Sequence, residues 1–127
     1  MRKEAENWFK QGLEDIDTAE RLRTLKKNAE APFYAHQACE KLLKALYIET
    51  NKDMPPKTHS LIELGKSVKV SKNVLNNLRD LNPEYVVSRY PDATYGVPSE
   101  LYTQEKSRKN LRKAKEVITW IRARMSR

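Results

Sequence analysis

The chain has 127 residues, of which 39% are hydrophobic and 33% charged, and its formal net charge is +8. That length suits one domain, 1–127, large enough to bury a core without disulfide or metal staples. The lone Cys39 excludes an internal disulfide, no apolar run reaches the ~18 residues of a membrane span, and the positive balance favours polyanionic partners without choosing among them.

The opening "MRKEAENWFK" is charged and lacks an apolar leader core, so a cytoplasmic location is expected. The first predicted element is "EAENWFKQGLEDIDTAERLRTLKK". Ala5, Trp8, Phe9, Gly12, Leu13, Ile16, Ala19, Leu22 and Leu25 fall at helical spacing and predict one long amphipathic helix. Glu14, Asp15, Asp17 and Glu20 spread around it, which reads as a solvated face rather than a metal cluster.

"APFYAHQACEKLLKALYIET" follows, with Pro32 suited to a first helical turn. Ala35, Ala38, Cys39, Leu42, Leu43, Leu46 and Tyr47 make so wide an apolar face that this should be the most buried helix. In that stripe Cys39 reads as a small buried hydrophobe. The remaining polar strip holds Gln37, Glu40, Lys41 and Lys44, and His36 stands one turn before Glu40, where the two predict a local pair.

Pro55 and Pro56 in "TNKDMPPKT" predict a loop. "SLIE" offers a capping box, Ser60 with Glu63, for a third helix in two pieces. Leu61, Ile62, Leu64 and Val68 mark the first piece; Gly65 and "SVKVS" weaken its end; Val74, Leu75, Leu78 and Leu81 mark the second, which stops at "NPE". Residues 82–98 show no helical period and read as a long loop. Ser99 is the expected cap of the last helix, whose stripe is Tyr102, Leu111, Ala114, Val117, Ile118, Ile121 and Met125. Its other face is strongly basic and reads mainly as solvated, with phosphate tracking as the lesser alternative. With no alternating segment to suggest a sheet, the expected fold is all-α, an up-and-down four-helix bundle with a split third helix and a long loop before the last helix.

There is no Gly-rich phosphate loop and no zinc spacing, so no metal, no cofactor and no catalytic residue is assigned. The long loop carries the most suggestive chemistry, in "SRYPDATYGVP". Arg89 offers a planar fork for phosphate, and Tyr85, Tyr90 and Tyr95 offer stacking faces for a base. With Glu40 and Lys44 from the second helix they form the candidate nucleotide- or RNA-binding set. The competing reading has the tyrosines plug the bundle end while Arg89 pairs with Asp92 or Glu40. His59, just before the Ser60 cap, reads first as a turn-ordering residue.

Four segments in order resemble one family. "NWFKQGLEDIDTAERL" is similar to its first helix, "FYAHQACEKLLKALYI" keeps a Gln-Ala-x-Glu-Lys-x-x-Lys-Ala pattern, "THSLIEL" matches a His-x-Leu-x-x-Leu segment, and "SRYPDA" matches an Arg-Tyr-Pro turn. The chain thereby resembles the HEPN domain (higher eukaryotes and prokaryotes nucleotide-binding). The resemblance implies a helical bundle, usually a homodimer, often partnered with a minimal nucleotidyltransferase in toxin–antitoxin or defence pairs. It also implies, for many members, a metal-independent ribonuclease built on arginine followed four to six residues later by histidine. Here "YPDATYGVP" follows Arg89, Thr94 holds the histidine's place at four-residue spacing, and no histidine lies beyond His59. The expected function is therefore a non-catalytic dimeric module that binds nucleotide or RNA and docks the transferase. The alternative is a ribonuclease with a non-standard site, using Arg89 and either His59 or His36. In relatives a tyrosine near the motif is modified by the partner, a part open to Tyr90 or Tyr95.

Overall fold

The computed structural model describes every residue except Arg127. Among the described residues there is no strand. Three long helices, α1 (Lys3–Thr24), α2 (Glu30–Asn51) and α8 (Gln104–Met125), pack with a shorter pair, α3 (Leu61–Ser67) and α4 (Lys72–Leu81). Between α4 and α8 lie three single helical turns, α5 (Glu84–Val87), α6 (Pro91–Thr94) and α7 (Pro98–Leu101). The bundle and the split third helix match the sequence reading. No helix among the described residues is long and apolar enough to cross a membrane.

α2 is the central helix. Ala31, Ala35, Ala38, Cys39, Leu42, Leu43 and Leu46 enter the core with Leu61, Leu64, Leu78, Leu81, Leu111, Val117 and Ile121. Small side chains on α2 let its neighbours approach closely, and α1 packs on it most extensively. Burial drives the Cys39 thiol pKa up to about 12, so it is a neutral core residue at physiological pH.

Gly12 sits where α1 and α2 come nearest. A Cβ there would lie 2.7 Å from Leu42 Cγ and 3.3 Å from the Ala38 carbonyl oxygen. Gly12→Val should therefore overpack the seam and destabilise the fold by about 1–3 kcal/mol. Urea unfolding checks this; an unchanged midpoint would contradict the close approach.

The split third helix follows from two caps. Ser60 Oγ accepts from the Glu63 N–H at 3.2 Å, and Ser71 Oγ accepts from the Val74 N–H at 3.3 Å. The reciprocal arm of the expected capping box is not made, because the Ser60 N–H donates to Thr58 Oγ1 at 3.0 Å. The Leu61 N–H donates to Asn82 Oδ1 at 2.9 Å, tying the start of α3 to the end of α4.

Three expectations need correction. The segment 82–98 is not an unstructured loop: α6 and α7 begin at Pro91 and Pro98, whose fixed φ suits a first helical position, and Pro83 stands at the N-cap of α5. Ser99 does not cap the last helix. Tyr102 leaves the helical region to bury its ring and donate its hydroxyl to Glu84, and Thr103 caps α8 instead, its Oγ1 accepting from the Lys106 N–H at 3.0 Å. Asp15 is not on a solvated face. It is 4% exposed and bridged to Lys41 on α2, because its side of α1 faces the central helix.

Candidate functional site

The candidate site begins on α2. Glu40 is 3% exposed, and its Oε2 accepts from Lys44 Nζ at 3.1 Å. Their spacing of four puts both on one helix face. Lys44 also lies 5.0 Å over the Trp8 ring of α1. The other carboxylate oxygen, Oε1, faces Nδ1 of His59 at 3.0 Å. His59 is delivered by the Pro55–Pro56 segment and the fixed start of α3, which bring it to α2 across nineteen positions of sequence.

His59 stacks on Tyr85, with ring centroids 4.2 Å apart and planes 15° from parallel. Tyr85, on α5, also lies 6.1 Å from Phe33 and 5.4 Å from His36. Arg89 follows one turn later. Its guanidinium sits 4.1 Å from the Phe33 centroid and 5.1 Å from those of Tyr85 and Tyr90. Its Nε donates to the Tyr85 carbonyl at 3.3 Å. Three aromatic rings thus surround the cation within cation–π range.

The expected carboxylate partners of Arg89 are not engaged. Among the described residues neither Asp92 nor Glu40 forms an ion pair with it; Glu40 is taken by Lys44 and His59. Arg89 is exposed. The structure thus brings together Arg89, Tyr85, Tyr90, Glu40 and, through His59, Lys44. It does not bring in Tyr95, which is 99% exposed in a left-handed backbone conformation. Thr94 sits at the histidine's place, but its hydroxyl is held by the carbonyls of Pro91 and Gly96.

The predicted His36–Glu40 pair is not formed. His36 is fully buried, and neither ring nitrogen has a hydrogen-bond partner. Burial drives its pKa down to about 4. Glu40 and the main chain of His59, which lies near the ring but outside hydrogen-bonding geometry, oppose that shift; His59 and Arg89 add to it. The ring is neutral at pH 7 and cannot reach a ligand. His59 differs. Its side chain is 56% exposed, Nδ1 is committed to Glu40, and Nε2 makes no hydrogen bond among the described residues.

Sequence reasoning missed Trp8 and Phe33 as site residues, and it missed the His59–Glu40 bond. Trp8, Lys44, Pro55, Pro56, Lys57 and His59 line a cleft of about 290 Å³; the Arg89 cluster lies outside that lining and is linked to it by the stacking of Tyr85 on His59. The only local signal was the Pro-Pro pair, which stiffens the segment before His59.

The fold and the arginine-led turn ahead of the last long helix define an all-helical class of module. The family model for the HEPN domain matches residues 5–124, and the chain belongs to that family. It is similar to the crystal structure of TT1696 from Thermus thermophilus at 25% identity and a TM-score of 0.88, covering 97% of this chain and 99% of that one. It is also similar to ST0689, an archaeal HEPN homologue, at 26% identity and a TM-score of 0.79, covering 96% and 98%. No curated protein matches the chain.

Proposed function

We propose that this HEPN chain is a non-catalytic, dimeric module that binds a nucleotide or RNA along the strip from Arg89 to Trp8 and docks a minimal nucleotidyltransferase. The observation that carries the ligand part is Arg89, a guanidinium steadied on three rings and without a carboxylate partner among the described residues. Such a group accepts a phosphate in a bidentate geometry. Lys57 adds positive charge, the buried Lys44 being neutralised by Glu40, while Tyr90 and Trp8 offer faces to a base. Isothermal titration with ATP, GTP and short RNAs tests this. Binding at submillimolar concentration is expected; a folded protein with no binding at millimolar ligand would overturn it.

The dimer part is supported by an apolar patch. Val86, Tyr95, Val97 and Leu101 are all 44% exposed or more, and all fall in the segment of short turns. Clustered exposed hydrophobes of this kind favour a protein partner. A second copy covering them would place two Arg89 clusters near one interface.

A second reading is favoured by one contact, the His59–Glu40 bond. A base held by a carboxylate and left open at its other nitrogen is the arrangement of an activated general base. In that reading His59 takes the ribose hydroxyl proton and Arg89 steadies the phosphate. Labelled RNA decides between the two. Cleavage abolished by both His59→Ala and Arg89→Ala would favour the ribonuclease; intact RNA with retained binding favours the module.

A further inference from the structure

A second surface carries its own chemistry, on the opposite pairing of the bundle, between α1 and α8. Arg23, Arg108, Arg112 and Lys115 line a groove of about 390 Å³ floored by Leu111. The basic residues of α8 divide into two kinds. Lys109, Lys113 and Lys115 are bridged to Glu105, Asp80 and Glu20, while Lys106, Arg122 and Arg124 lie over the rings of Tyr102, Phe9 and Trp120. Arg108 and Arg112 have neither a carboxylate nor a ring among the described residues, and both are exposed.

These two are one turn apart on the same face, a like-charge pairing that disfavours a helix unless something neutral or negative lies against it. Among the described residues neither acidic group of the groove pairs with them: Glu20 is shared by Arg23 and Lys115, and Glu116, which accepts from the neutral Asn77 Nδ2 at 2.9 Å, forms no ion pair with Arg112. We infer that this groove binds the phosphate backbone of a single-stranded nucleic acid, with Arg108 and Arg112 as the phosphate contacts and Lys115 and Arg23 as support. Arginine rather than lysine at the two bare positions fits bidentate phosphate contacts better than single point charges. The cations line an open groove between α1 and α8, where a flexible single strand can bring successive phosphates to Arg108 and Arg112. Across Glu116 the groove adjoins a second one lined by Asn73, Asn76 and Asn77, whose amides can both donate to and accept from base edges.

The surface shares no residue with the Arg89 strip, so the two are separable. The test uses the full chain and a fluorescein-labelled twelve-nucleotide oligouridylate, with anisotropy read at several salt concentrations. The expected slope of log K against log salt is about −1.4, from two phosphate contacts at ~0.7 each. Arg108→Gln/Arg112→Gln should flatten it by about 1.4 and weaken binding tenfold or more at low salt. Arg108→Lys/Arg112→Lys should keep most of the slope, which separates lost charge from lost folding. A double glutamine variant that binds with unchanged slope and affinity overturns the inference, as does an oligonucleotide that fails to bind the wild type. Loss confined to Arg89→Ala also overturns it, while leaving the Arg89 reading intact. An acidic peptide that binds with the same dependence on Arg108 and Arg112, where the oligonucleotide does not, assigns the groove to a protein instead.

Discussion

Lys44→Met should destabilise the protein by about 3 kcal/mol, at the lower end of the cost of stranding a buried charge. The reason is Glu40. Its carboxylate is almost wholly buried and its nearest compensating charge is the equally buried ammonium of Lys44. Removing the ammonium leaves His59 as the only neighbour in ion-pairing range among the described residues, on the solvent side. Glu40→Gln/Lys44→Met should recover most of the loss, because it removes the charge along with its partner. Urea unfolding of the two variants forms the check. A single variant within about 0.5 kcal/mol of wild type, the range of an ordinary surface change, would mean that the pair is not held out of water.

The second large effect is a pH dependence centred on His36. The unfolded ring has its ordinary pKa of about 6.5, whereas burial holds the folded ring down to about 4. Between those values the unfolded state binds the proton and the folded state does not. Stability therefore rises with pH, is fully present above pH ~6.5, and is lost as pH falls toward 4. The slope is about 1.4 kcal/mol per pH unit, so about 3 kcal/mol disappears across the window. Glu84 acts with the opposite sign. Burial raises its pKa against the opposing effects of Tyr102 and Lys106, so its contribution is present at low pH and fades as pH rises through the raised value. Comparing wild type with His36→Gln cancels that term. The glutamine variant should lose about 3 kcal/mol less than wild type between pH 7 and pH 4; parallel losses would contradict a buried neutral ring.

Helix placement was legible where apolar spacing ran long enough to show itself, as in α1 from Ala5 to Leu22 and in the broad face of α2. The break between α3 and α4 was legible because Gly65 and "SVKVS" weaken the helical pattern there, and Ser71 within that stretch caps α4. Residues 82–98 were not, since a four-residue turn such as Pro91–Thr94 is shorter than the period that would reveal it. The start of α8 was misjudged because two hydroxyl residues could cap it, and the choice depends on Glu84, eighteen positions from Tyr102. The same non-locality governs the site. Arg89, Tyr85 and Tyr90 were visible as chemistry in one short stretch. Glu40 looked paired to His36 one turn away, yet its partner is His59, and the acidic Asp15 looked solvated until Lys41 arrived from the next helix. Helical period fixes which residues share a face, but not which distant residue meets that face.

The central claim is that Arg89 is a ligand-anchoring cation rather than a packing residue. The most direct measurement is isothermal titration of one short RNA into wild type and Arg89→Ala, with circular dichroism confirming that both are folded. Charged hydrogen bonds to a phosphate contribute about 1.5–3 kcal/mol, so the variant should bind roughly ten- to a hundredfold more weakly while its helix content stays the same. Equal affinity in the two proteins would contradict the claim and return Arg89 to the role of a cation stacked on Phe33, Tyr85 and Tyr90.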